Sequence, residues 1–256
     1  MAGAVSALLL FPAPLSEGTP PESVMSATAL AALRATRDFV VENPRTARRL
    51  LSACGHPGPI ADLRLATLDE HTPHSGVADL LTPLKEGRDL GVLSEAGAPA
   101  VADPGALLVA AAHREGFRVV PFAGPSSIVL ALMASGLEGQ RFRFAGYLPV
   151  AATDRQAAIL QLQSRSDAAD ETQVFIETPY RNDALLADLL RVCSPETRLA
   201  VAADLTGPAE LIRMATIHEW RSRPGSIGKV PAIFLLQASP ARRPPIPHPT
   251  AGKSRY

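Results

Sequence analysis

The sequence predicts an α/β protein of two domains, a doubly wound, mostly parallel sheet followed by an α/β unit with a mixed sheet. Three observations carry this. Through the first half, short apolar runs alternate with helical stretches, the βαβα pattern that gives parallel strands covered by helices on both faces. The alternation breaks at Gly124-Pro125-Ser126. Beyond that point the last strands crowd together, which favours a mixed sheet.

The elements follow in order. Ser6–Phe11 reads as a buried strand ended by Pro12-Ala13-Pro14. Thr19-Pro20-Pro21-Glu22 has a helix-start pattern, with Thr19 as cap, and an Ala/Leu-rich helix is expected from Ser26 to Arg37. Phe39–Val41 is the next strand, and Asn43-Pro44 opens a helix that stops near Gly55. Leu63–Leu68 is a strand, Val77–Glu86 a helix closed by Gly87, and Leu90–Leu93 a short apolar strand. A loop over Ser94–Gly105 leads to the helix Ala106–Glu115 and the strand Arg118–Phe122. Past the break, a helix is expected over Ser127–Ser135 and strands over Phe142–Tyr147, Gln173–Ile176, Leu199–Ala203, Glu210–Ala215 and Ala232–Leu236. Helices over Asp154–Ser164 and Asn182–Cys193 separate three of them, and Trp220 is expected in the core. The domains are therefore placed at 6–123 and 124–238, and the Pro-, Arg- and Lys-rich stretch 239–256 is expected to be a disordered tail.

The bulk composition narrows the function classes. The 256 residues are 46% apolar and 20% charged, an ordinary globular balance with enough length to bury a core. Basic and acidic residues balance at 25 each, which argues against tight, non-specific nucleic-acid binding but leaves room for a local basic face. Cys54 and Cys193 are far apart with no CxxC spacing, so a reducing cytoplasm is the simpler setting. The apolar run Ala7–Phe11 is short, lacks a preceding basic residue and is followed at once by Pro12, so neither a signal peptide nor a membrane span is expected. His71 and His74 stand at i, i+3, but no third ligand is evident, and no metal is expected. Arg45, Arg48 and Arg49 share one helix face, which reads either as a solvated face or as a phosphate-facing patch.

The loop SEAGAPAVADPG, Ser94–Gly105, is the chief candidate for a ligand site. It follows a buried strand and precedes a helix, and open α/β sheets bind ligands at the carboxyl ends of their strands. Gly97 permits tight backbone approach, while Asp103-Pro104 resembles a helix cap. A mere capped turn is the competing reading, since no GxGxxG or Walker pattern is present.

Further stretches join it: Phe11-Pro12-Ala13-Pro14, Val119–Ser127 (VVPFAGPSS), Phe144–Pro149 (FAGYLP), Glu177-Thr178-Pro179-Tyr180-Arg181 and Ala202-Ala203-Asp204-Leu205-Thr206. Taken together over Leu8 to Gln237, they resemble the tetrapyrrole methylase superfamily of S-adenosylmethionine-dependent methyltransferases. Within it they look most like the branch that methylates ribose 2′-hydroxyls of 16S rRNA. The chain departs from that branch at Ser16-Glu17, where Gly-Asn is usual, at Glu95 for Asp, at Ala98 for Thr, at Ala102 for Ser, and at Val41-Glu42-Asn43 where an acidic pair is expected.

The resemblance implies a cofactor in the cleft between domains, held by Pro12, Ala13 and Pro14, by Ala96, Gly97, Ala98, Pro99 and Val101, by Ser126 and Ser127, and by backbone at Ile176, Ala203 and Pro231. It also implies a homodimer and an RNA or ribosomal-subunit substrate. Direct methyl transfer needs no covalent nucleophile on the protein, only alignment of acceptor, methyl carbon and sulfur. Glu42, Arg45, Glu95 and Arg181, with Asp103 and Glu177, are the candidate acid–base or substrate-orienting groups; each has an ion pair or cap as its plain alternative. Methylation of a tetrapyrrole or other small molecule, and a non-catalytic protein that binds the cofactor or RNA, remain as alternatives.

Overall fold

The structure, a computed structural model, describes residues 6–69 and 72–238. Strands β1 (Ala7–Phe11), β2 (Asp38–Val41), β3 (Arg64–Thr67), β4 (Leu90–Leu93) and β5 (Arg118–Pro121) form one sheet in the order β3-β2-β4-β1-β5. Every pairing in it is parallel. Side chains alternate across a strand, and β1 in this way feeds two cores. Ala7, Leu9 and Phe11 enter one with Leu30 and Leu33 of α1 (Ala27–Ala35) and Leu51 of α2 (Pro44–Ala53). Leu8 and Leu10 enter the other with Leu108 and Ala111 of α4 (Gly105–Arg114), past the short α3 (Thr82–Lys85). Helices thus cover both faces, and the sheet is doubly wound as expected.

The second sheet runs β6-β7-β10-β8-β9, built from β6 (Phe142–Tyr147), β7 (Thr172–Glu177), β8 (Arg198–Ala203), β9 (Leu211–Thr216) and β10 (Ala232–Gln237). β6 pairs with β7 in parallel, and the other pairings are antiparallel, so the sheet is mixed as the strand spacing predicted. One face packs on α6 (Ala152–Ala169), α7 (Asn182–Val192) and α8 (Ile217–Ser222). The other packs on α5 (Ser127–Ser135) through Ala131, Val174, Ala202 and Ile233. Trp220 is buried as expected, but inside α8, with its indole N–H donating to the Leu199 carbonyl at 3.0 Å.

Several element boundaries need correction. Thr19 caps no helix; the helix starts at Ser26, as expected, and the Ser26 hydroxyl accepts from the Ala29 N–H at 3.1 Å. Residues Pro21–Ser23 form only a 3₁₀ turn. Ser26→Ala should therefore cost about 1 kcal/mol in stability, read as a lower midpoint of chemical denaturation. The expected helix over Val77–Glu86 is 3₁₀ over His74–Leu81 and becomes α-helical only over Thr82–Lys85, because Pro83 has no N–H and fits just the first turn of a helix. The helix expected over Asp154–Ser164 extends from Ala152 to Ala169. The tail expected at 239–256 and His71 lie outside the described residues.

Candidate active site

The chain leaves β1, β2, β4 and β5 at the same edge of the first sheet, so the loops after these strands meet there. The β1 and β4 loops are stitched together: the Ala13 N–H donates to the Gly97 carbonyl at 2.8 Å, and the Gly97 N–H returns the bond at 3.0 Å. The β5 loop presses on the β1 loop, since a Cβ at Gly124 would overlap the Pro12 ring. Within the β4 loop, the Asp103 carboxylate accepts from the Ala100 N–H at 2.8 Å and from the Gly105 N–H at 2.7 Å. It thereby ties the first N–H of α4 to a stretch where Ala100 and Ala102 adopt left-handed φ values of 64° and 61°. Such strain in residues carrying a Cβ is typical of ligand-binding loops.

These loops and the second sheet border two spaces that share lining residues. The first is a cavity of about 250 Å³ with an apolar wall of Leu15, Ile176, Ala202, Leu205 and Ile233. Glu177, Asp204 and Ser127 are its polar lining. A recess of about 70 Å³ beside Gly97, Ala98, Val101 and Ser126 extends it, sharing Ala96, Ser127 and Ile176. The second is an open basin of about 950 Å³ lined by Glu42, Asp69, Glu95 and Asp103 and by the loop from Ala100 to Pro104. The cavity and the basin share Ala96 and Tyr147. Tyr147 is 62% exposed and sits just past a register shift in β6, an irregularity that re-aims a side chain.

Loops of the two sheets also touch at the cavity. The Ser16 hydroxyl donates to Asp204 Oδ1 at 3.0 Å, linking the β1 loop to the loop after β8. Asp204 Oδ2 accepts from the Ala209 N–H, and the Asp204 N–H donates to the Pro231 carbonyl.

The two ends of β2 show how placement sets charge. At its amino end, hydrogen bonds from Arg64 hold the buried Asp38 carboxyl below the usual range, against the effect of burial, with Arg88 assisting. That is a structural ion pair, at the opposite end of the strand from the loops that line the cavity. Just past its carboxyl end, Glu42 has no ion-pair partner among the described residues. Burial raises its pKa, the charges of Asp103 and Glu95 add to this, and the Glu95 N–H, donating at 2.9 Å, opposes it. Asp103 is also raised by burial, against its two backbone hydrogen bonds. A carboxylate held ready to take a proton is what an acid–base role requires.

Glu177 is different. Its side chain is fully buried, and Oε1 accepts from Arg181 Nε at 2.9 Å and from Arg181 Nη2 at 2.5 Å. Oε2 is buried without a partner among the described residues. Arg181 is thus engaged in holding Glu177 in the cavity wall.

The structure brings Glu42 and Glu95 together in the basin and keeps Arg45 exposed on α2, lining neither space. Ala96, Gly97, Ala98, Val101, Ser126, Ser127, Ile176 and Pro231 line the cavity or its recess. Pro12, Ala13, Pro14 and Pro99 do not line it; Pro12 and Ala13 are buried as supports for the loops that do. Ala203 faces the core on the far side of the sheet, and its neighbours Ala202 and Asp204 face the cavity instead. Sequence reasoning misses Leu15, Asp204, Leu205 and Ile233 as lining residues, although Asp204 and Leu205 stand within the Ala202–Thr206 motif. Among the described residues, no group of three His, Cys, Asp or Glu side chains could hold a metal, and no helix is long and apolar enough to cross a membrane.

Residues 18–220 match the family model of the tetrapyrrole (corrin/porphyrin) methylases. The chain belongs to the tetrapyrrole methylase family. Among its relatives are proteins named ribosomal RNA small subunit methyltransferase I. That of Pseudomonas aeruginosa is 34% identical over 77% of this chain and 67% of its own length. That of Neisseria meningitidis serogroup B is 34% identical over 75% and 62%, and that of Escherichia coli O157:H7 is 29% identical over 86% and 74%. The chain therefore spans roughly two thirds of the length of these relatives. Solved structures of this fold include a diphthine synthase (TM-score 0.63, 15% identity, 91% of this chain and 90% of that one) and the methyltransferase CobJ (TM-score 0.58, 20% identity, 95% and 98%). The methylase-family expectation and its ribosomal branch, drawn from the sequence motifs, agree with these relatives; the small-molecule alternative is not favoured. The cavity fits the family's cofactor: its apolar wall suits an adenine ring, and the Glu177 and Asp204 carboxyls suit a ligand that carries an ammonium, hydroxyls and a sulfonium.

Proposed function

We propose that the protein transfers a methyl group from S-adenosylmethionine to a ribose 2′-hydroxyl of ribosomal RNA. One observation supports this reading: an apolar cavity with acidic lining shares Ala96 and Tyr147 with a separate basin lined by Glu42, whose pKa burial raises. When bound, the cofactor would supply a methyl group on a sulfonium, whose neutral thioether leaves as the bond from methyl carbon to acceptor oxygen forms. Leu15, Ile176, Leu205 and Ile233 enclose its apolar part, and Glu177 Oε2 is available to accept a hydrogen bond from it. Glu42, in the basin, takes the proton from the acceptor hydroxyl, while Glu95 fixes the Glu42 carboxylate through its N–H. Arg45, Arg48 and Arg49 are all exposed on α2, directly after Glu42 and Asn43, and meet RNA phosphates at the rim.

The same reading gives domains at 6–123 and 124–238, a cytoplasmic location with the ribosomal subunits, and a homodimer. For the dimer, the exposed apolar side chains Val129 and Met133 of α5 and Leu211 and Met214 of the edge strand β9 supply a surface. Calorimetric titration with S-adenosylmethionine and its demethylated product, followed by transfer of labelled methyl to small-subunit RNA, tests the reaction. No binding of either nucleoside would sink the proposal. Binding without transfer to any RNA or to precursor tetrapyrroles would support the non-catalytic alternative.

A further inference from the structure

An exposed aromatic ring and a cation flank residues of the cavity wall in the chain, outside the residues already assigned. Tyr180 is 81% exposed, and the Lys229 ammonium lies over its ring, 5.5 Å from the centroid. Each adjoins a cavity-wall residue in sequence, Pro179 beside Tyr180 and Pro231 two residues after Lys229. The lysine does not hang on a loose loop. Asn182, fully buried, donates from its side-chain amide to the carbonyls of Gly228 at 3.1 Å and Val230 at 2.7 Å. Asp183 accepts from the Ile227 N–H at 2.7 Å and from the Ser226 hydroxyl at 2.9 Å. Both anchors come directly after Tyr180-Arg181, and the Arg181–Glu177 pair fixes that turn. One short stretch of chain thus positions both the exposed ring and the ammonium.

We propose that Tyr180 is a stacking platform for a nucleobase of the RNA next to the methylated nucleotide, with Lys229 at its phosphate. Bases of single-stranded RNA stack on exposed aromatic rings, and a neighbouring lysine adds backbone attraction. The proposal rests on the RNA reading of the site, and its test is kept separate from that of the reaction. Binding of a fluorescent single-stranded oligoribonucleotide to the full chain, in the presence of the demethylated cofactor, is followed by anisotropy. Tyr180→Ala should weaken binding about tenfold, Tyr180→Phe should retain it, and Lys229→Gln should weaken it and flatten its salt dependence. The affinity for the cofactor should stay at the wild-type value in all three.

Equal oligonucleotide binding by Tyr180→Ala and wild type would overturn the platform, as would loss by Tyr180→Phe equal to that by Tyr180→Ala. A fall in cofactor affinity would also overturn it, by making Tyr180 part of the cofactor wall. Wild-type protein that binds the oligonucleotide through Tyr180 but methylates no RNA would sustain the platform and refute the reaction.

Discussion

Glu42→Gln is expected to lower kcat for methyl transfer by about 10²–10⁴-fold, the usual worth of a positioned general base, with the cofactor Kd unchanged. The substitution suits the question because the glutamine amide keeps an oxygen for the Glu95 N–H, so the junction between β2 and α2 retains its hydrogen bond. The proton acceptor alone is removed. The pH profile supplies the second readout. Burial lifts Glu42 above its ordinary 4.5, with Asp103 and Glu95 adding to the lift. A base works only when ionised, so wild-type activity should fall as pH drops through that raised value, above the pH at which an ordinary carboxylate would lose it. Glu95→Gln removes one of the charges that raise Glu42 and should move the acid limb downward, with a much smaller loss of rate at neutral pH. Retention of wild-type kcat by Glu42→Gln would remove Glu42 from the proton transfer.

How much of this was legible in the sequence depends on whether the cause was local. The alternation in Ala7–Phe11 assigns successive side chains to two cores, and both are found there. Pro83 carries the information that a helix begins at that point, but periodicity over Val77–Glu86 passes over it. Ser26 and Thr19 are both good cap residues by type, and only the backbone of the following turn decides between them. The motif around Ala203 locates the right strand end, yet strand alternation decides which neighbour faces the cavity, and one position separates Ala202 from Ala203. Contacts such as Ser16 with Asp204, 188 residues apart, have no signature in either segment. The fold and the strand ends whose loops line the cavity were therefore readable, whereas the division of that region into an apolar cavity and an acidic basin was not. That division arises where loops of the first sheet meet strands of the second.

Gly97→Val should reduce cofactor affinity at least about a hundredfold, through three effects at one position. Gly97 has φ of +73°, where an ordinary residue costs about 1–2 kcal/mol and a β-branched one is worse. A Cβ there would sit 3.1 Å from Leu15 Cδ2 and 3.5 Å from the Pro125 carbonyl oxygen, before the two methyl groups of valine are added. Leu15 can relieve that crowding only by moving, and it is part of the cavity wall. Relaxing the backbone instead would strain the paired hydrogen bonds between Ala13 and Gly97 that hold the β1 and β4 loops together. The sequence alone suggests that valine would occupy space needed by the ligand; the geometry places the damage in Leu15 and the loop pairing. Gly97→Ala separates these effects, since it brings the left-handed strain and a single tight contact without the branched methyls, and should lose affinity less steeply. Leu15→Ala in the Gly97→Val background then removes the atom that is struck. Partial recovery of cofactor affinity in that double variant, measured calorimetrically on protein shown by circular dichroism to be folded, is the expected result. A folded Gly97→Val variant with wild-type affinity would exclude the paired loops from the cofactor site.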